Sequence, residues 1–419
     1  MRHVVVMVTT SYPRFPGDGV GSFIEPIAKG VAARGHEVHI VAPWHPALNR
    51  QQVEDGVHFH FFRYAPVAPL NVFGYATGLR ADTQLRLAAW MMAPLAMTSG
   101  AWKTLRVARK RRATVLHAHW VVPGGVIAAL AARGLPFVIS AHGSDVFVAE
   151  RNDAARHAAR SALRRAGWVT ACSDDLRLRT ITLGADPART ETVLYGVDAS
   201  RFAPSGSVRE EVRRELGLGD APLVFSAGRL VRKKGFEHLI EAARMLGETF
   251  PELRVVIAGE GDLRDELQAL TQTTGGRVTL IGFRSQDDVG RLSAAADVVV
   301  VPSVRDEAGN VDGLPNFALE ALSTATPVVA TRIGGLPQAI EDGRTGRLVV
   351  ERDPAALADA IRDLLWHPTR AHDLGVAARA SVIRDFGWPR VAERFEAAYD
   401  RVRLEKPGSQ EGRKPGRVS

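Results

Sequence analysis

Buried-strand patterns and amphipathic-helix patterns alternate along almost the whole chain, and the strand patterns end in loops rich in glycine or polar residues. No other feature restricts the fold as much. Strands separated by helix-length segments pair in parallel, and helices must cover both faces of such a sheet. His3–Thr9 carries the unbroken apolar run Val4 to Val8. A loop with Gly17, Gly19 and Gly21 follows, then a predicted helix over Phe23–Ala33 that stops at Gly35, a good residue for a helix end. His36–Ala42, Val115–His119, Phe137–Ala141 and Trp168–Ala171 read as further strands, with a helix over Asp153–Arg165 before the last. A stretch of little periodicity, Tyr195–Ser207, contains Gly196, Pro204 and Gly206 and reads as a linker. The alternation then restarts, with strands at Leu223–Ala227, Arg254–Ala258, Arg277–Ile281, Asp297–Val301, Pro327–Ala330 and Leu348–Val350. Helices fall between them, among them Phe236–Leu246 and Asn316–Leu322.

A length of 419 residues suits two domains better than one core. The expectation is α/β, with two Rossmann-like, doubly wound domains facing a central cleft. Residues 1–200 form the first, residues 205–386 the second, and a C-terminal helix at about 387–404 returns to the first. Residues 405–419, with Pro407, Gly408, Gly412, Pro415 and Gly416, read as a disordered tail. Apolar residues make up 46% and charged residues 24%, which excludes disordered, collagenous and membrane-spanning classes. Cys172 is the single cysteine, so no intrachain disulfide forms and a cysteine-based zinc site is not expected. The N-terminus reads as a strand and not as a secretory leader, and no run reaches the ~20 apolar residues of a membrane span. The expected location is the cytoplasm, with peripheral attachment to the inner face of the cell membrane left open.

The net charge of +8 is partly local: Arg106, Arg109, Lys110, Arg111 and Arg112 cluster, and Arg413, Lys414 and Arg417 lie in the tail. Ahead of the first cluster stand Leu87, Trp90, Met91, Met92, Leu95, Met97 and Trp102. Apolar residues beside a basic run suit anionic membrane and a lipid-linked acceptor. A core helix with a solvated basic end fits the segment 86–112 equally. Aromatics are not interleaved with the basic residues as in a nucleic-acid module, so no nucleic-acid partner is expected.

Two post-strand segments carry chemistry. Leu223–Ala227 runs into Gly228, Arg229, Leu230, Val231, Arg232, Lys233, Lys234 and Gly235. Gly228 admits close approach of a ligand, Arg229 can fork onto phosphate oxygens, and Lys234 adds a point charge. A solvated basic turn is the plainer reading. Asp297–Val301 leads through the polar loop 302–310 to Asp312, Gly313, Leu314, Pro315, Asn316, Phe317 and, one turn into a helix, Glu320. Free N–H groups there suit phosphate or sugar hydroxyls, and Glu320 could accept both hydroxyls of a ribose. The plainer reading is an acidic helix start with Glu320 on a wet face.

Together, Gly228–Gly235 and Asp312–Ala321 resemble the donor-binding signature of the retaining GT-B glycosyltransferases of family 4, the glycosyl transferases group 1. Ser11-Tyr12-Pro13 through Gly21, Gly35-His36-Glu37-Val38, His142-Gly143-Ser144-Asp145 and Gly259-Glu260-Gly261 are similar to further segments of that family, in the right order. The similarity covers roughly Val4 to Arg403. It implies that Arg229 and Lys234 hold the donor diphosphate, Glu320 the ribose, and Asp312 the transferred sugar. The backbone from Gly313 and Leu314 to Phe317 would hold hydroxyls and phosphate. His142 would face the sugar, Gly17, Gly19 and Gly21 would give close approach near the reacting groups, and Gly259 and Gly261 would approach the nucleotide. The family usually has Glu where this chain has Asp312, which leaves the identity of the donor sugar open.

The implied reaction is hexosyl transfer from a UDP- or GDP-sugar to a glycan or lipid-linked acceptor, in cell-surface polysaccharide or glycolipid synthesis. It proceeds by front-face attack, with the leaving phosphate taking the acceptor proton. No Asp-x-Asp pair is present to hold a metal–diphosphate complex, so no metal and no cofactor are expected. His117 and His119 share one strand face without a third ligand nearby and read as core or lining residues. Two rival readings remain. A non-hydrolysing nucleotide-sugar epimerase shares the layout but needs acid–base groups for the sugar's C2. A non-catalytic nucleotide- or glycan-binding protein is separated from an enzyme by turnover.

Overall fold

The computed structural model describes residues 1–75, 79–80, 84–85 and 87–404. Among them are sixteen strands. The first ten are β1 (Val4–Val8), β2 (Glu37–Pro43), β3 (Val53–Glu54), β4 (Val57–Phe62), β5 (Leu79–Arg80), β6 (Gln84–Leu85), β7 (Val115–His119), β8 (Phe137–Ala141), β9 (Trp168–Ala171) and β10 (Thr190–Thr192). The rest are β11 (Leu223–Ala227), β12 (Arg254–Ala258), β13 (Val278–Leu280), β14 (Val298–Val301), β15 (Val328–Thr331) and β16 (Arg347–Val349). The predicted tail, residues 405–419, lies outside the described residues.

The chain divides into two compact units. Among the described residues, one holds those within 1–171, 177–191 and 392–404; the other holds 172–176 and 192–391. The second unit thus resumes at Thr192, ahead of the Tyr195–Ser207 stretch read as a linker, and that stretch runs into a helix at Gly206–Glu215. Ser205 caps this helix by accepting a hydrogen bond from the amide of Val208 at 3.3 Å.

The first unit contains an eight-stranded sheet ordered β10-β9-β8-β7-β1-β2-β4-β3. β1 pairs in parallel with β2 on one side and β7 on the other, so its carboxyl end sits where the strand order reverses. The last helix, Trp388–Leu404, joins this unit from Ala392 onward. Glu396 pairs with Arg34, Tyr399 hydroxyl meets His117 Nδ1 at 2.8 Å, and Asp400 meets His3 Nε2 at 3.0 Å.

The second unit contains a six-stranded sheet ordered β13-β12-β11-β14-β15-β16, and the pairs are parallel. Its core joins the strands to Phe236–Leu246 and Pro354–Trp366 through Phe236, Leu239, Ile240, Leu357 and Ile361. The order reverses between β11 and β14, the two strands whose following loops carry the chemistry predicted from sequence.

The strand β4 and the pairing of β5 with β6 were not legible in the sequence. The segment 86–112, for which a helix was one of two readings, forms the helix Leu87–Arg111, which runs unbroken through Pro94. No helix among the described residues is long and apolar enough to cross a membrane.

Candidate functional site

In the second unit the loop after β11 folds back over a short turn, Arg232–Lys234, that ends at Gly235. Gly235 has φ +63°, and a Cβ there would lie 2.1 Å from the carbonyl oxygen of Pro302. The amide of Val304 donates to Lys233 carbonyl at 2.9 Å. The loop after β11 is therefore fastened to the loop after β14. Asp312 lies at the far end of that second loop, and its carboxylate takes one lysine on each oxygen. Lys233 Nζ is 3.0 Å from Oδ1 and Lys234 Nζ is 2.6 Å from Oδ2. Burial alone would raise the Asp312 pKa, but the two ammonium groups outweigh it and hold the carboxyl well below the usual range. The motif reading paired Lys234 with a phosphate and Asp312 with a sugar. The two side chains hold each other, and Lys233, to which no role was assigned, shares the contact. Arg229 is exposed on the same loop.

The turn Asp312–Pro315 is enclosed on both sides. A Cβ on Gly313 would meet Cys172 Sγ at 2.5 Å, and one on Gly334 would meet the carbonyl oxygen of Asp312 at 2.2 Å. The amide of Gly335 donates to the carbonyl of Gly313. Helix Asn316–Ser323 starts with no side-chain cap; Pro315 occupies the N-cap position. Its first N–H groups thus receive no cap from a side chain, and Asn316 Oδ1 is buried without a hydrogen-bond partner among the described residues. Ser303 Oγ and Asn310 Oδ1, on the same segment, are in the same condition. Leu314 and Phe317 are buried, and Phe317 packs edge-on against Phe225, so only their backbones are available to a ligand.

Glu320 is buried rather than on a wet face. Burial raises its pKa to about 7, against the weaker lowering effects of Arg201, Gln286 and Lys234. Gln286 Nε2 donates to Glu320 Oε1 at 3.2 Å, and Arg201 in turn donates to Gln286 Oε1 at 3.0 Å. Sequence patterns gave no signal for Arg201 or Gln286, because a chain of contacts across more than eighty residues has no local periodicity.

Gly259 and Gly261 also have a packing reason to be glycine. A Cβ on Gly259 would lie 1.8 Å from Gly228 carbonyl oxygen, and one on Gly261 would lie 2.4 Å from Leu230 carbonyl oxygen. The amides of Gly228 and Leu230 donate to Ala258 and Glu260 at 3.0 and 2.9 Å. The two glycines let the loop after β12 lie against the loop after β11 and so position Arg229 and the lysines.

His142, Gly19 and Gly21 belong to the first unit. His142 follows β8, and its Nε2 meets His119 Nδ1 at 3.1 Å. Phe23 and Trp120 pack on its ring at 4.7 and 5.2 Å between centroids. Burial first, and His119 second, lower the His142 pKa well below the ordinary value; burial lowers His119 to about 3. Both rings are neutral at neutral pH. Asp145 fixes this corner by accepting from the amides of Val121 at 2.6 Å, Gly143 at 2.9 Å and His142 at 3.2 Å. Trp120 has φ +67°, a strained conformation for a bulky residue that places a ring at a strand end. His117 is a core residue, bonded to Tyr399 and to Ser140 Oγ at 2.7 Å.

In the glycine loop, Gly21 has φ +67° and a Cβ there would meet Ser11 carbonyl oxygen at 2.9 Å, whereas Gly19 faces open space. Asp18, not a glycine, organises this loop: it accepts from the amide and from Nε of Arg14 at 2.9 and 2.6 Å.

Helix Leu87–Arg111 presents Leu87, Met91, Leu95 and Trp102 outward, exposed by 75, 65, 51 and 61%. Spacings of four, four and seven place them on one face, and Arg106, Arg109 and Lys110 continue it. The Arg106 guanidinium lies 5.4 Å from the centre of the Trp102 ring. Arg86, the Trp90 side chain and the tail cations Arg413, Lys414 and Arg417 lie outside the described residues.

Two units, each built on an open, mostly parallel sheet, give the chain the GT-B fold of glycosyltransferases. A sucrose-phosphate synthase from Thermosynechococcus elongatus shares this fold, with a TM-score of 0.77 and 20% identity over 96% of this chain and 99% of that one. Residues 208–381 match the family of glycosyl transferases group 1, and residues 17–201 match glycosyltransferase family 4. An alpha-maltose-1-phosphate synthase of Mycolicibacterium smegmatis is 33% identical over 69% of this chain and 79% of its own length. A GDP-mannose-dependent alpha-(1-6)-phosphatidylinositol monomannoside mannosyltransferase of the same organism is 36% identical. That match spans 55% of this chain and 62% of the relative. The chain belongs to glycosyltransferase family 4, and it is a glycosyltransferase.

Proposed function

We propose that this enzyme transfers a hexosyl group from a nucleoside-diphosphate sugar, a UDP- or GDP-sugar, to a glycan or lipid-linked acceptor with retention of anomeric configuration. The observation that carries this reading is the cluster of Lys233, Lys234 and Asp312 beside an uncapped helix start and the buried Glu320. Arg229 and the two lysines, less the Asp312 charge, leave a net positive site suited to a diphosphate. Stabilisation of the leaving diphosphate then needs no divalent ion. Glu320 receives the ribose hydroxyls. The uncapped amides at the start of helix Asn316–Ser323 receive phosphate or sugar oxygens. The leaving phosphate takes the acceptor proton. A relative named for GDP-mannose and a phosphatidylinositol mannoside supports a nucleotide-sugar donor and a lipid-linked acceptor.

The test is a donor screen by thermal shift and slow hydrolysis with UDP-, GDP-, ADP- and dTDP-sugars, on wild type and Glu320→Ala. One donor that stabilises wild type, is turned over and loses its effect in Glu320→Ala supports the reading. No response from folded protein removes it. Activity lost to a chelator and restored by magnesium or manganese overturns metal independence.

The exposed face of helix Leu87–Arg111 favours peripheral attachment to anionic membrane. Apolar side chains enter the headgroup boundary while Arg106, Arg109 and Lys110 meet anionic lipid.

A further inference from the structure

The lysines and Asp312 are mostly buried, so their ion pairs form away from bulk water. A phosphate brought to these lysines meets cations that already hold an anion. Each Asp312 oxygen engages one ammonium group, which is the arrangement two oxygens of a phosphate would adopt. The backbone beneath the lysines is fixed: Gly235 is pressed on Pro302, and Lys233 carbonyl accepts from Val304. Only side chains are left to rearrange.

We propose that Asp312 is the internal counter-anion of Lys233 and Lys234, that a phosphate of the donor replaces it, and that Lys233 is a second phosphate-binding lysine beside Lys234. This rests on the donor-site reading above. Asp312 holds the two ammonium groups in place, so they need not be ordered when the diphosphate arrives. Once displaced, the carboxylate turns to the hydroxyls of the incoming sugar. A nucleoside diphosphate alone displaces Asp312 without replacing its partners, whereas a nucleotide sugar does both.

The experiment is titration calorimetry of UDP and GDP with wild type, Asp312→Asn, Lys233→Gln, Lys233→Arg and the double variant, with thermal unfolding as the check on folding. Asp312→Asn is expected to bind the diphosphate about tenfold tighter or more, because the competing anion is gone, while turnover falls. Lys233→Gln is expected to weaken binding about tenfold, with most of the loss restored by Lys233→Arg. If Asp312→Asn unfolds, the double variant against Lys233→Gln gives the same comparison with one charge of each sign removed. Unchanged or weaker binding on removing the Asp312 charge overturns the exchange. Wild-type affinity in Lys233→Gln overturns the role of Lys233. A wild type that binds neither diphosphate overturns the donor site itself, and the exchange with it.

Discussion

Gln286 donates a hydrogen bond to Glu320 across 3.2 Å, and this neutral amide, not a cation, is the side chain bonded to that buried carboxyl. Lys234 and Arg201 act on it only at longer range.

Glu320 carries a stability cost that depends on pH. Its folded pKa of about 7 exceeds its ordinary 4.5, so the native state holds the proton more tightly than the unfolded chain. Stability is unaffected below the ordinary value, falls as pH rises between the two, and is fully reduced above about 7. The deficit there is about 3 kcal/mol. Glu320→Gln should raise the unfolding midpoint at about pH 8 and change it little at about pH 4. Melting curves at both pH values check this.

The same ionisation should govern the donor. A charged carboxylate accepts two ribose hydroxyls more strongly than a protonated one. Affinity for a nucleotide sugar should rise as pH passes through about 7 and be flat and weaker in Glu320→Gln. A nucleotide sugar is the right ligand, since it has no terminal phosphate that titrates nearby.

The glycines should divide by contact. Gly259→Ala and Gly261→Ala drive a methyl group into the backbone of the loop after β11. They are expected to cost about 3 kcal/mol or more and to weaken donor binding with it. Gly19→Ala meets nothing within 4 Å and should cost under about 0.5 kcal/mol. Chemical denaturation of the three variants tests the contrast.

Asp145→Ala leaves the amides of Val121, His142 and Gly143 without their acceptor in a buried corner. A loss of about 3 kcal/mol is expected, with a smaller one for Asp145→Asn, which keeps one carbonyl oxygen. Denaturant midpoints rank the two.

The helix Leu87–Arg111 should bring the enzyme to vesicles of anionic phospholipid. Sedimentation at low salt should fall sharply in Trp102→Ser with Leu95→Ser, and in Arg106→Gln with Arg109→Gln. Neutral vesicles should recover little protein. Absence of wild type from the anionic pellet would count against membrane attachment.

Alternation of apolar runs, glycine-rich loops and helix patterns was enough to locate nearly every strand that frames the site, several to the residue, such as β7, β8, β9, β11 and β12. These signals are local: a buried parallel strand is a continuous apolar run, and the loop after it shows its own glycines and charges. The charged residues of the loops after β11 and β14 were legible for the same reason, because Arg229, Lys234, Asp312 and Glu320 stand at recognisable offsets from strand ends. Partnership was not legible. That Asp312 holds both lysines, that Glu320 is buried against Gln286, that Gly259 is pressed on Gly228 and that Asp145 gathers three amides all depend on segments far apart in the chain. One-dimensional order sets which side chains reach a sheet's carboxyl edge. The distances and burial that decide their charge, and so what they can bind, arise only when the sheet brings neighbouring loops into contact.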